Sequence, residues 1–216
     1  MRKQKEQIMR NKVELLGHYG SDETHACSAW TSTSRELTSA KLNRMPKLLK
    51  YLAENKHETP FEKSGLHFLV DTDIASHIHL LKHRVGVSIN AESARYKELK
   101  EDKILIPSDL PMEWQRELAV FSKEGLRMYH ECIEDLISKH GFTRNRAKEV
   151  ARYFRCYNTQ ITADIMFNFR SFVHFLNLRN KPEAQKEIRE IAQEMLKIVK
   201  NIEDNPFKHT LEAFNL

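Results

Sequence analysis

The chain has 216 residues, 40% hydrophobic and 30% charged, with 35 Lys and Arg against 30 Asp and Glu, a net charge of +5 and a pI near 9.0. That length fits one domain, 1–216, with a substantial interior, and the composition is that of an ordinary globular chain, not a disordered one. There is no run of about 18 apolar residues, and Met1–Lys12 is charged without an apolar stretch, so membrane insertion and secretion are not expected and a cytoplasmic location is.

Cys27, Cys132 and Cys156 are odd in number and too widely spaced for a Cys-x-x-Cys pair, which predicts reduced, structural thiols. The positive charge draws acidic small molecules such as nucleotides and folates as readily as nucleic acid, and by itself does not choose between them.

In chain order, residues 1–12 read as a frayed or helical lead. Val13–Leu16 reads as a short strand ended by Gly17 and Gly20, with Ser21-Asp22 as the cap of a following helix that carries Ala29-Trp30-Thr31-Ser32. Leu48, Leu49 and Leu52 recur at helical spacing and predict an amphipathic helix from Pro46 to Asn55. Thr59-Pro60 predicts an extended or turn conformation before Phe61, with the Thr59 hydroxyl available to a ligand phosphate. Leu66–Val70 is rich in strand formers, and Thr72 or Asp73 can cap a helix from Ile74 to about Arg84.

On that helix His79 and His83 fall four apart on one face. A zinc site needs a third ligand, and a metalloprotease needs a glutamate between the histidines, where Leu80, Leu81 and Lys82 stand; no metal is expected. Aiming His79, Lys82, His83 and Arg84 into an anion site is the preferred reading. Ile104–Pro107 reads as a short strand. Pro111 opens a long helix to about His140, with Trp114, Leu118, Phe121, Leu126, Tyr129 and Ile133 as a buried stripe, and Thr143 caps a further helix that leads to Arg152.

Asp164–Arg179 predicts a largely apolar helix on which Arg170, His174 and Asn177 form one polar stripe at i, i+4 and i+7. A buried polar stripe needs partners, either an internal hydrogen-bond network or a flavin or nucleotide lying on it. Asn180 and Pro182 begin the last helix, with Ile188, Ile191, Ala192, Met195 and Val199 on its apolar face.

The densest chemistry lies in Lys82-His83-Arg84-Val85-Gly86-Val87-Ser88-Ile89-Asn90-Ala91-Glu92-Ser93-Ala94-Arg95-Tyr96. Its cations, hydroxyls and closely approachable glycine backbone suit a phosphate. A solvated basic loop is the plain alternative.

This run resembles the signature of the flavin-dependent thymidylate synthases. The segments His57-Glu58-Thr59-Pro60-Phe61-Glu62, Asn168-Phe169-Arg170-Ser171 and Phe175-Leu176-Asn177-Leu178-Arg179 with Ala184-Gln185 agree with that family in order, and Thr210–Phe214 is similar to its ending.

The resemblance implies an α+β fold, a small mixed sheet surrounded by long helices in a single domain. It implies reductive methylation of dUMP to dTMP, with FAD as cofactor and NADPH and methylenetetrahydrofolate as cosubstrates. It also implies a homotetramer with sites at subunit interfaces, and no nucleic-acid partner. Carried over by position, dUMP contacts fall on His79, Lys82, Ser93, Arg95, Arg152 and Arg179. FAD contacts fall on Thr59, His83, Arg84, Asn168, Arg170 and His174. Arg179 is the catalytic candidate, a permanently charged group able to stabilise negative charge on the uracil ring.

Several positions depart from the pattern. Lys82 stands for an arginine, His79 for a glutamine, His174 for an asparagine and Trp30 for an arginine, and one extra residue lies between Arg84 and Ser93. That insertion puts Ala91 in the glutamate's place, so Glu92 is expected to take over its ligand contact. Two alternatives remain: a sister flavin and folate enzyme leaving another C5 group, such as hydroxymethyl, and a non-enzymatic nucleotide- or RNA-binding protein.

Overall fold

Residues Gln160–Phe167 alternate between interior and surface, with Ala163, Ile165 and Phe167 fully buried and Met166 exposed, and they form a strand, β6. The helix expected from Asp164 starts only at Phe169, because burial with a period of two cannot be met by a helix. The computed structural model describes residues 8–34, 36–93 and 103–216. Two compact units emerge: Met1–Lys12, Asp71–Leu80 and Asn90–Ala163 form one, and Val13–Val70, Leu81–Ile89 and Asp164–Leu216 the other. Strands β2 (Lys12–Tyr19), β3 (Gly65–Asp73), β4 (Val87–Ala91) and β6 make a four-stranded sheet in the order β2-β3-β6-β4. Strand β1 (Ile8–Met9) pairs in parallel with β5 (Ile104–Leu105), so the lead expected to fray or coil supplies a strand at its end. With long helices beside these small sheets, the fold is α+β, as expected.

In the unit containing the C-terminus, Ser21 caps helix α1 (Asp22–Trp30). Helix α2 runs over Ser39–Glu54, starting well before the expected Pro46. Thr38 caps it, and Pro46 sits in its interior at the cost of one backbone hydrogen bond. Trp30 packs against the cluster of Ala26, Leu49, Leu52, Phe61 and Ala213. A short 3-10 turn, Thr59–Glu62, follows, where an extended or turn segment was expected.

Helix α6 (Phe169–Arg179) packs against α7 (Lys186–Lys200), which buries Ile188, Ile191, Ala192, Met195 and Val199 as its periodicity predicts. Helix α7 starts six residues after Asn180. A further helix, α8 (Lys208–Ala213), packs on α2 and was not expected. Phe68, Phe167 and Phe172 meet within about 6.4 Å of one another. A fully buried side chain of that size contributes about 1.5–3 kcal/mol.

A polar network lies inside this apolar unit. Asp22 Oδ1 accepts from the Thr210 amide at 2.8 Å and its hydroxyl at 2.6 Å, and Oδ2 accepts from the His209 amide at 2.8 Å. The His25 ring reaches Thr210 Oγ1 at 2.9 Å and Ser64 Oγ at 2.8 Å, with Phe61, Phe169 and Phe207 around it. Burial pushes His25 down to about 4, so the ring is neutral near pH 7.

In the other unit, helix α3 (Ile74–Leu81) begins after Asp73, whose Oδ1 accepts from the Ser76 amide at 2.9 Å. It ends three residues short of Arg84. Helix α4 (Met112–Ser138) packs on α5 (Arg144–Ala151), which Thr143 caps as expected. Only the later part of the α4 stripe is buried: Leu126, Tyr129 and Ile133 are inside, whereas Trp114 and Phe121 are 62% and 68% exposed. In that part of α4 it is Leu118 and Ala119, not Trp114 and Phe121, that pack against the Ile104, Ile106 and Leu126 cluster. The three cysteines are free.

Candidate functional site

The site is built where the chain between α3 and β4 docks on the start of α6. Asn168 caps α6, its Oδ1 accepting from the Ser171 amide at 2.8 Å, while its own amide donates to the Gly86 carbonyl at 2.9 Å. The Ser171 hydroxyl donates to the Val85 carbonyl at 2.6 Å. Gly86 has φ +64, and a Cβ there would lie 2.2 Å from Asn168 Nδ2 and 2.5 Å from Ser171 Oγ, so both backbone and space demand glycine. These bonds draw 82–84 away from the helical path expected for them. His79 and His83 consequently do not share a helix face, and the expected four-residue cluster on one helix does not form.

Docking turns His83 inward. It is buried, with its ring 5.1 Å from Phe175 and 6.1 Å from His174. Arg179 Nε donates to His83 Nε2 at 3.0 Å, so that nitrogen carries the lone pair. The residue expected at the flavin and the residue expected at the pyrimidine are thus in direct contact. Lys82 and Arg84 flank His83 with exposed side chains, giving cations on the outside of the same loop.

The polar stripe of α6 lies on the outside. Arg170, His174 and Asn177 are all exposed, because Phe169, Phe172, Val173, Phe175 and Leu176 take the buried side. The expectation of a buried stripe is corrected accordingly. Arg170 Nε donates to Glu58 Oε2 at 2.8 Å and Nη1 to Glu62 Oε1 at 2.5 Å. These charge-assisted bonds raise the arginine above its ordinary pKa. Glu58 and Glu62 bracket the 3-10 turn that bears Thr59, whose side chain is exposed. Both glutamates lie inside a recognised motif, yet nothing in their spacing announces a shared arginine 108 and 112 residues away.

The remaining expected residues fall in the other unit. His79 is half-buried on α3, and Arg152 is exposed just beyond α5, 5.9 Å from the Tyr153 ring. Glu92 is half-buried, its Oε2 accepting from the Thr162 amide at 3.0 Å, while the Thr162 hydroxyl donates to Asp71 at 2.6 Å. It is therefore not a fully solvated surface carboxylate. Ser93 is half-buried, and Arg95 lies outside the described residues. Among the described residues no three His, Cys, Asp or Glu side chains are grouped to hold a metal ion.

This geometry can be set beside known proteins. The family described as "Thymidylate synthase complementing protein" matches residues 14–203. A "Flavin-dependent thymidylate synthase" of Kosmotoga olearia is 32% identical over 206 residues, covering 88% of this chain and 85% of the relative. The chain belongs to the flavin-dependent thymidylate synthase family. A second relative of that name, from Streptomyces avermitilis, is 28% identical over 85% of this chain and 83% of its own.

Among solved structures, the UMP/dUMP methylase PolB from Streptomyces cacaoi bound with 5-Br dUMP superposes with a TM-score of 0.75 at 26% identity, covering 95% of this chain and 94% of that one. A second structure of that methylase contains 5-Br UMP. Membership in the flavin-dependent thymidylate synthases gives the docked loop a chemical context. The His83 to Arg179 contact and the Asn168, Gly86 and Ser171 junction join three of the family-like segments within one unit.

Proposed function

We propose that the protein is an FAD-dependent thymidylate synthase that converts dUMP to dTMP, taking the carbon from methylenetetrahydrofolate and the reducing equivalents from NADPH. The observation that carries this reading is the loop 82–86 held on α6, which joins His83 to Arg179 at 3.0 Å and leaves Lys82 and Arg84 as exposed cations. FAD fits the residues present. Thr59, Arg84 and Arg170 offer exposed donors of the kind that bind phosphate. Thr59, His83, Arg84, Asn168, Arg170 and His174 would hold it. The flavin, when bound, supplies the hydride chemistry.

Replacing hydrogen by methyl at uracil C5 requires that carbon to become electron-rich. A cysteine adding to C6 is not supported here: none of the three thiols lies on the docked loop or α6, and burial pushes the Cys156 thiol up. Arg179 instead stabilises negative charge developing on the ring, with His83 fixing its Nε edge. His79, Lys82, Glu92, Ser93, Arg95 and Arg152 would bind the rest of the nucleotide. We read the two units as one catalytic domain in a cytoplasmic enzyme. The chain works as a homotetramer, and the exposed Trp114, Phe121 and Met128 of α4, which share one face of that helix, offer apolar surface to a second copy.

A broader substrate range, including UMP, is a second reading, favoured by the UMP/dUMP methylase that superposes on this chain. The test is incubation of the purified protein with FAD, NADPH, methylenetetrahydrofolate and either dUMP or UMP, with product masses read directly. Visible flavin absorption and a product heavier than dUMP by one methylene are expected. A folded, colourless protein that takes up no added FAD overturns the reading, and a hydroxymethyl mass identifies the sister activity.

A further inference from the structure

Arg170 sits between Glu58 Oε2 at 2.8 Å and Glu62 Oε1 at 2.5 Å. One cation facing two carboxylates leaves this corner with a net negative charge, an unpromising environment for an anionic ligand unless the acids serve to aim the arginine. A guanidinium is planar and presents its donors in a fixed fork. With Nε and Nη1 engaged by the acids, the Nη2 edge is the one left without a partner among the described residues. The same two bonds fasten the 3-10 turn carrying Thr59 to the first turn of α6, next to the Asn168 cap. About a third of each glutamate side chain and nearly half of the arginine side chain are solvent-exposed, so the arrangement is accessible from outside.

We propose that Glu58 and Glu62 are positioning residues of the flavin site: they hold the Arg170 guanidinium with its Nη2 edge toward the ligand phosphates and keep Thr59 in register with it. This rests on the flavin reading above. The acids touch neither the ligand nor the reacting atoms. They remove the freedom of a long side chain before binding, so that less is lost when the ligand arrives.

The test is FAD titration of the full-length protein, wild type against the double variant Glu58→Gln/Glu62→Gln, with dUMP affinity and turnover at saturating FAD measured alongside. The double variant is expected to bind FAD about tenfold more weakly, a difference of about 1.4 kcal/mol. Turnover at saturating FAD and dUMP affinity should stay within about twofold of wild type, a split that general loss of structure would not produce. In an Arg170→Lys background, which lacks the fork, the same two changes should weaken FAD binding by less than about twofold.

Unchanged FAD affinity in the double variant overturns the inference. Tighter binding also overturns it, because the acids would then be competing with the ligand for Arg170. A wild-type protein that takes up no FAD overturns the flavin reading and this inference together, whereas wild-type binding with insensitive variants overturns the inference alone.

Discussion

At the scale of single residues, two side chains carry separable tests. Arg179 meets His83 through Nε, so Arg179→Lys keeps the charge but loses both that bond and the planar fork. Arg179→Ala and Arg179→Lys are each expected to lower dTMP formation by roughly 10²–10³-fold, the range for removing one preorganised electrostatic group. NADPH-dependent flavin reduction, followed by bleaching, should persist in both. Wild-type turnover in either would remove Arg179 from the chemistry.

His25 belongs to stability, not to catalysis. Its folded-state pKa of about 4 lies below the ordinary 6.5, so between those values the unfolded chain binds the extra proton. Stability is therefore unaffected by this group above about pH 6.5 and falls as pH drops from there toward 4, by on the order of 3 kcal/mol. Urea midpoints measured from pH 7 to pH 4.5 should fall, and His25→Gln should flatten part of that slope.

At the scale of elements, the junction of loop 82–86 with α6 depends on a residue that has no side chain. Gly86→Ala must place a methyl against Asn168 and Ser171 at φ +64, and is expected to cost about 2 kcal/mol or more. Because the displaced loop carries His83, FAD and dUMP affinity should fall together with the urea midpoint. A variant with full stability and full affinity would mean that the loop can dock in another way. Asn168→Ala tests the other half of the junction, since it removes a helix cap and should cost about 0.5–2 kcal/mol in thermal or urea unfolding.

Local signals were enough for Ser21, Thr143 and the apolar face of α7. They failed for the end of α3, where the competing partners of Val85 and Gly86 lie some 80 residues further along the chain.

At the scale of the whole molecule, α4 exposes Trp114, Phe121 and Met128 at intervals of seven. A stripe of that spacing follows one face of a straight helix and suits another helix laid along it. Trp114→Glu/Phe121→Glu is expected to lower the molecular mass seen by analytical ultracentrifugation. If sites lie at subunit interfaces, dTMP formation should fall with the mass while each chain keeps its circular dichroism. An unchanged mass would mean that this face does not join copies.

Short-range pattern in the sequence determined the Ser21 and Thr143 caps and the apolar face of α7, and resemblance through four ordered segments pointed to the α+β class, the family and the candidate residues. The caps and the α7 face are local: they depend on which residue stands three, four or seven positions away, and the chain spells that out directly. Only the tertiary structure decided that Asp164–Phe167 is a strand, that the Arg170 stripe faces outward into two carboxylates and that His83 leaves its helix to meet Arg179. Each of these outcomes depends on partners distant in sequence, and short-range periodicity holds no record of which groups will compete for a donor, an acceptor or a buried face once the chain has folded.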